Sequence, residues 1–385
     1  VPDAARTVRP LFTAGTVLGE GADASVPAHY GAPLREQRRL LEREAVVDLG
    51  QLEVLEVSGA DARSWMTTIT TQVLSGLPVG ASASLAVLSP QGRVEHMASA
   101  VVAGEETLLL VLDPGARAGL RGYLEMMRFA ARVEIIDRDD LRVLGALAPA
   151  GEVLTGLDLP EPVAVWSEPW PEVAPGGVAY GPPPEDPAGQ VLTLYPGSVL
   201  ESLTWTAPLL AGMSSWEALR IADHRARFAH EVDERTIPHE LDLLRTTVHT
   251  EKGCYRGQET VAKVLNLGQP PRRLVMLHLD GSQDVPVAAG GEVRLGGADG
   301  KVVGAVTSSA LHADLGPIAL AVVRRAVPLD AALSVQVPVG PAASGADSTA
   351  DASDEEAAPA VWIDASQEPI VVPREHGARP ATAKL

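Results

Sequence analysis

A single cysteine, Cys254, in a chain of 385 residues sets the terms on which this sequence can fold. One thiol cannot form an internal disulfide, nor can it give one chain an all-cysteine metal site. The fold must therefore rest on buried apolar surface and hydrogen bonds. The composition allows that, with 46% hydrophobic and 21% charged residues. The length exceeds one compact core and predicts two or three domains. A missing disulfide framework fits a reducing, cytoplasmic compartment. No leader-like apolar run opens the chain, and no stretch nears the roughly 18 apolar residues of a membrane span, so no membrane partner is expected.

The net charge of −19 argues against direct nucleic-acid binding, which needs a basic surface to displace counterions. The charge is uneven, however. Between Arg245 and Arg273 the cations Arg245, Lys252, Arg256, Lys263, Arg272 and Arg273 outnumber Glu251 and Glu259. A basic island in an acidic chain suits a small anionic ligand.

Periodicity gives the outline. Leu52–Val57 alternates as a half-buried strand, and Ser84–Leu88 and Val94–Val102 flank a Ser89-Pro90-Gln91-Gly92 hairpin turn. Thr107–Leu112 reads as a buried strand, Arg117–Phe129 as a helix and Ala131–Ile136 as a strand. Interleaved hairpins and helices predict an α+β fold rather than a doubly wound sheet. Ser214 and Glu217 form a capping-box pattern for a helix reaching about Phe228. Short β runs after Arg273, separated by glycine turns, predict a small β-barrel. The expected organisation is an N-terminal arm with a charged, solvated helix (1–40), an α+β body of two subdomains (41–267) and a barrel (268–337). An acidic disordered linker and tail (338–385) would follow, with a strand returning near 360–373 to close the barrel.

The run Lys252-Gly253-Cys254-Tyr255-Arg256-Gly257-Gln258-Glu259 places the lone thiol between two glycines and beside two cations. Strand-like Thr246–His249 would lead into it. Gly253 would free the backbone, and Cys254 would sit at a helix N-terminus, where unpaired amides favour a thiolate. Cys254 is either a small core residue or a reactive thiol, and the flanking charges favour the thiol.

The run matches the K-G-C-Y-x-G-Q-E signature and so resembles the YgfZ family of folate-binding proteins that support iron–sulfur proteins. The resemblance extends to Leu219-Arg220-Ile221-Ala222, Ile237-Pro238-His239-Glu240 and Pro271-Arg272-Arg273-Leu274. That family is in turn similar to the glycine cleavage T-protein, a folate-dependent aminomethyltransferase. It implies a T-protein-like folate-binding body with a C-terminal barrel, and tetrahydrofolate or a one-carbon derivative as cofactor. Cys254 would be the functional thiol, handling a transient iron–sulfur cluster without a resident metal. Glu240 would contact the pterin, Arg272 or Arg273 would contact the ligand from the barrel entry, and Lys252 and Gln258 would complete the ligand-holding set.

Two departures stand out. The acid that T-proteins carry after the early hairpin falls here on His96 or Met97, with Glu95 beside it; strict alternation would put His96 on the face opposite Glu95 and Met97. Leu241-Asp242 also stands where many members have Asn-Leu. The resemblance thus implies a tetrahydrofolate-binding accessory protein for iron–sulfur maturation or repair, with assembly or client proteins as partners. The alternatives are a folate-dependent aminomethyltransferase or demethylase and, more weakly, a tRNA-modification factor.

Overall fold

The computed structural model describes residues 9–148, 159–282, 287–337 and 361–373. The expected disordered stretch at 339–358 lies outside the described residues. The chain opens with a two-stranded ladder, β1 (Val17–Leu18) and β2 (Pro27–His29), followed by α1 (Pro33–Leu41). This part is not a loose arm. Val26 is fully buried, and Asp23 holds Arg227 with both carboxylate oxygens at 2.8 and 2.9 Å. Nor is α1 merely solvated: buried Glu36 accepts the backbone amides of Tyr30, Ala32 and Gly212.

Two five-stranded sheets form the body. β3 (Val46–Asp48) belongs to one, whereas β4 (Glu53–Ser58) starts the other. After α2 (Ala62–Ile69), β5 (Ser82–Leu88), β6 (Val94–Gly104) and β7 (Thr107–Leu112) run as an antiparallel meander. α3 (Arg117–Met127) then leads to β8 (Glu134–Asp137), giving the order β5-β6-β7-β4-β8. One face packs under α2 and α3 through Leu55, Met66, Leu110, Leu120 and Leu124. The other face, through Val54, Val101, Leu109 and Val111, meets the second sheet. That sheet consists of β9 (Leu141–Leu147), β10 (Ala164–Ser167), β11 (Gln190–Pro196) and, after α4 (Gly197–Ser202), β12 (Leu210–Ala211). Its order is β10-β11-β9-β3-β12, and only the β12–β3 pair is parallel.

α5 (Met213–Ala222) packs Met213, Trp216 and Leu219 into this intersheet core. It has no side-chain N-cap. The expected capping box does not form because Glu217 is drawn into ion pairs with Arg220 and Arg227, and Glu36 takes the Gly212 amide. A short α6 (Phe228–Glu231) and a 3-10 turn (Pro238–Leu241) follow. Thr246–His249, expected as a strand, is turn and loop, and α7 (Gln258–Leu267) ends the body.

The remaining strands close a six-stranded antiparallel barrel. They are β13 (Arg272–Leu279), β14 (Glu292–Leu295), β15 (Lys301–His312), β16 (Gly316–Arg324), β17 (Leu333–Val337) and β18 (Val361–Pro369). β18 pairs with both β13 and β17, so the returning strand removes the last open edges. Val275, Val293, Val323, Val335 and Ile363 fill the interior.

Candidate functional site

A cavity of about 150 Å³ opens where the two sheets, α5 and the 241–247 loop meet. Its walls include Trp166, Trp170, Trp216 and Phe228, with Leu52, Leu85 and Leu192. Buried indoles need a partner for their N–H. Trp166 donates to Ala83 O at 3.0 Å and Trp170 to Asp223 O at 2.7 Å, so both rings are held in place. Flat aromatic walls of this kind accept a planar ring system.

Charge enters the cavity in pairs. Arg225 lies over the Trp166 ring, 6.0 Å from its centroid, and forms an ion pair with Glu168. Burial pushes the Glu168 carboxyl upward against the pull of Arg225. Arg227 links cavity-lining Asp113 at 2.5 Å to Asp23. Arg220, only 3% exposed, holds Glu217 at 2.6 Å and Glu231 at 3.0 Å, and donates to Ser308 of the barrel at 2.7 Å. Burial works to raise the Glu217 carboxyl, yet Arg220 and Arg227 override it and hold it at about 2. Asp242, in the left-handed region at φ 55°, accepts the Tyr180 amide at 2.7 Å and pairs with Arg245 at 2.8 Å. The cavity therefore presents both carboxylates and guanidinium groups at fixed positions.

The cysteine loop lies at another edge of the body. Lys252 Nζ donates to the carbonyls of Thr67, Thr70 and Gln72 and so caps the C-terminal end of α2. Burial lowers the Lys252 ammonium to about 8. Gln258 Nε2 clamps the loop by donating to Lys252 O at 3.2 Å. Gly257, not Gly253, takes the left-handed conformation, at φ 83°. A Cβ at Gly257 would meet Ser89 O at 2.5 Å and Gly92 Cα at 3.0 Å, so the loop seats glycine against glycine on the β5–β6 turn. Cys254 is exposed, and it precedes the N-cap Gly257 by three residues rather than standing at the helix start.

Six residues were expected to act together, and the structure groups them differently. Cys254, Lys252 and Gln258 share the loop. Buried Glu240 pairs with Arg272 at 2.8 Å, and Arg272 also grips Asp233 at 2.6 Å. That hydrogen-bonded pairing depresses the Asp233 carboxyl and raises the Arg272 guanidinium. Arg273 is buried in the barrel wall. None of the six is among the residues lining the central cavity. The sequence analysis does not single out the cavity residues Glu168, Arg225, Trp166, Trp170 and Trp216. Trp166, two residues before Glu168 and four before Trp170, offered the one local signal: aromatics clustered around an acid.

The early hairpin is also less regular than alternation predicts. Val87 pairs with His96 but Leu88 with Val94, so Glu95 is an extra residue in a bulge. The bulge lets Glu95 pair with Arg256 at 2.9 Å while His96 packs beside Tyr123 at 6.3 Å. Met97 lines the cavity. Burial, then Arg256, lowers the His96 imidazole to about 4.

No protein-family model matches the chain. The structure resembles the glycine cleavage system aminomethyltransferase T from Bartonella henselae, with a TM-score of 0.67 at 17% identity, covering 94% of this chain and 96% of that one. In sequence the chain is 27% identical over 279 residues to a chloroplastic protein of Arabidopsis thaliana named as a transferase (At1g60990), 68% of this chain and 61% of the relative. It is 21% identical over 150 residues to an aminomethyltransferase of Nitrosococcus oceani, 39% of this chain and 40% of the relative. The chain thus spans less than two thirds of the length of these curated relatives. No helix among the described residues is long and apolar enough to cross a membrane. The fold is that of the T-protein: an α+β body carrying a closed antiparallel barrel.

Proposed function

We propose that the chain binds a reduced folate, tetrahydrofolate or a one-carbon derivative, in the central cavity. The observation that carries this reading is the set of tryptophan walls around buried carboxylates in a T-protein-like fold. The walls suit the flat pterin, and a carboxylate suits its donor-rich aminopyrimidine edge. Glu168, between Trp166 and Trp170 in sequence, would hold that edge. Arg220, Arg225 and Arg227 would attract the anionic tail. Bound tetrahydrofolate supplies a carrier for one-carbon units. Glu240 and Arg272, expected on the ligand, would instead brace each other at the entry to β13.

We further propose, from the signature loop, that the protein works as an accessory in iron–sulfur maturation, with Cys254 as the exposed thiol. Among the described residues no three His, Cys, Asp or Glu side chains converge as a metal site. One thiol cannot complete a cluster's ligand set, so a cluster would be cargo shared with a partner's ligands.

Calorimetric titration with tetrahydrofolate tests the first part. Wild type should bind, Glu168→Gln should lose about tenfold or more in affinity, and Glu240→Gln and Cys254→Ala should bind as wild type. A wild type that shows no heat of binding would overturn it. For the second part, Cys254→Ser should lower the activity of cluster-dependent enzymes in cells, and unchanged activity would contradict it. A second reading, aminomethyl transfer, is favoured by the names of the matched bacterial relatives. Turnover of a methylamine-type donor by the purified protein with tetrahydrofolate would establish that reading in place of the accessory role.

A further inference from the structure

Arg273 differs from every arginine around the cavity. It is 1% exposed, but among the described residues its only acceptors are Val327 O at 3.1 Å and the Gln367 side-chain oxygen at 2.6 Å, both reached by Nη2. Among the described residues Nε and Nη1 are buried without a hydrogen-bond partner, which leaves three N–H donors idle. No ion pair balances its charge among the described residues, whereas Arg220, Arg227 and Arg245 each hold a carboxylate. Burial alone pushes this guanidinium down to about 10. A buried cation with idle donors is costly unless something fills the gap.

A pit lies beside it, lined by Arg273, Arg325, Tyr180, Gln269, Pro270 and the 371–373 segment. The centre of a water-sized sphere can move through about 10 Å³ of it, so the pit takes one small ion or water. The walls are pinned by main-chain bonds: Val371 N to Leu274 O at 3.2 Å, Val372 N to Tyr180 O at 3.0 Å and Arg325 N to Pro271 O at 3.0 Å. Among the described residues no acidic side chain lines the pit, and Arg325 adds a second positive charge.

We propose that this pit binds one small monovalent inorganic anion of chloride size. The anion accepts from the free edge of the Arg273 guanidinium. It locks β13 to the strap from α7 and to the segment after β18, at the seam between body and barrel. Neutral water would satisfy one or two donors but leave the charge unbalanced. Polyatomic anions as large as gluconate do not fit. The site is independent of the folate cavity, which shares none of its lining residues.

The full-length chain, exchanged into sodium gluconate buffer and titrated with sodium bromide at constant ionic strength, gives the test. The unfolding midpoint should rise saturably by about 3 °C, as expected for a ligand bound only by the native state. Arg325→Ser should shift the half-saturation point about fivefold upward, and Arg273→Met, where it folds, should remove the response. Crystals soaked in bromide should show an anomalous peak within hydrogen-bonding distance of Arg273 Nε and Nη1. A wild-type midpoint indifferent to halide, or bromide peaks only elsewhere with water in the pit, would overturn the proposal. Both wild-type measurements stand without any variant.

Discussion

Around the central cavity the arginines and their carboxylates are fixed mainly by other side chains, often from far along the sequence. Arg227 reaches Asp113 and Asp23, and Arg220 reaches Glu217, Glu231 and Ser308. Around Cys254 the pins are main-chain atoms, apart from the Arg256–Glu95 ion pair. Lys252 grips carbonyls at the end of α2, Gln258 grips the carbonyl of Lys252, and Gly257 rests on the backbone of Ser89 and Gly92. The first design immobilises side chains and makes each depend on its neighbours. The second immobilises a backbone and leaves the exposed thiol without a partner among the described residues. Losing a charge in the cavity should therefore damage the fold, whereas losing the sulfur should leave the fold intact and remove only what the sulfur does.

The strongest way to break this contrast is Arg227→Met. The substitution keeps the volume of the stem but leaves Asp23, Asp113 and Glu217 facing one another without their shared cation. Removing one partner of a buried charge network costs about 3–5 kcal/mol, so urea denaturation should show a loss of that order. A loss below about 1 kcal/mol would mean that solvent reaches these carboxylates and that the cavity is not built on them.

On the loop side, Gly257→Ala tests whether backbone seating matters as much. Alanine resists a φ of 83°, and its Cβ would strike the Ser89 carbonyl at 2.5 Å, an atom held in the β5–β6 turn. The expected destabilisation is about 2–4 kcal/mol. Gly253→Ala is the internal control. Gly253 does not adopt a positive φ, and a Cβ there meets nothing within 4 Å, so stability should be unchanged. Lys252→Met should cost less, about 1–2 kcal/mol, by leaving the Thr67, Thr70 and Gln72 carbonyls without their cap. It should not alter tetrahydrofolate affinity. A loss of affinity would place Lys252 on the ligand after all and merge the two regions.

The two regions also differ in how far sequence could reveal them. The loop stood out because its residues are consecutive, but the pinning roles of Lys252 and Gln258, expected to hold ligand, were not legible. Likewise, which glycine carries the left-handed turn depends on the Ser89–Gly92 turn beneath it, a partner 165 residues away from Gly257 that no local pattern names. The hairpin turn itself was legible from its turn chemistry and the strand Thr107–Leu112 from its apolar run. The cavity was not, because Leu52, Asp113, Glu168, Arg227 and Thr247 converge only once both sheets have formed. The early segment misled for the same reason. Asp23 and Glu36 look like solvated acids until Arg227 and Gly212 arrive to meet them.

His96 sits where the two regions touch, and its titration should give the smallest but sharpest reading. It lies on β6 beside Met97 of the cavity wall, while its ring faces Tyr123 and the field of Arg256 from the cysteine loop. Burial and then Arg256 hold its native pKa near 4, below the value of about 6.5 in an unfolded chain. Between those two values the unfolded state binds the extra proton and the native state does not. Stability contributed by neutral His96 is thus complete above about pH 6.5 and declines as pH falls towards 4. His224, His249 and His312, whose pKa values burial also lowers, add to the same slope. His96→Gln should therefore flatten, not abolish, the loss of stability between pH 6.5 and 4 in denaturation series. Arg256→Gln should flatten it by a smaller amount, because burial is the larger cause. If Arg256→Gln instead flattens the slope more than His96→Gln does, the loop's charge reaches beyond His96 into the cavity network, and the separation of the two regions fails at this point.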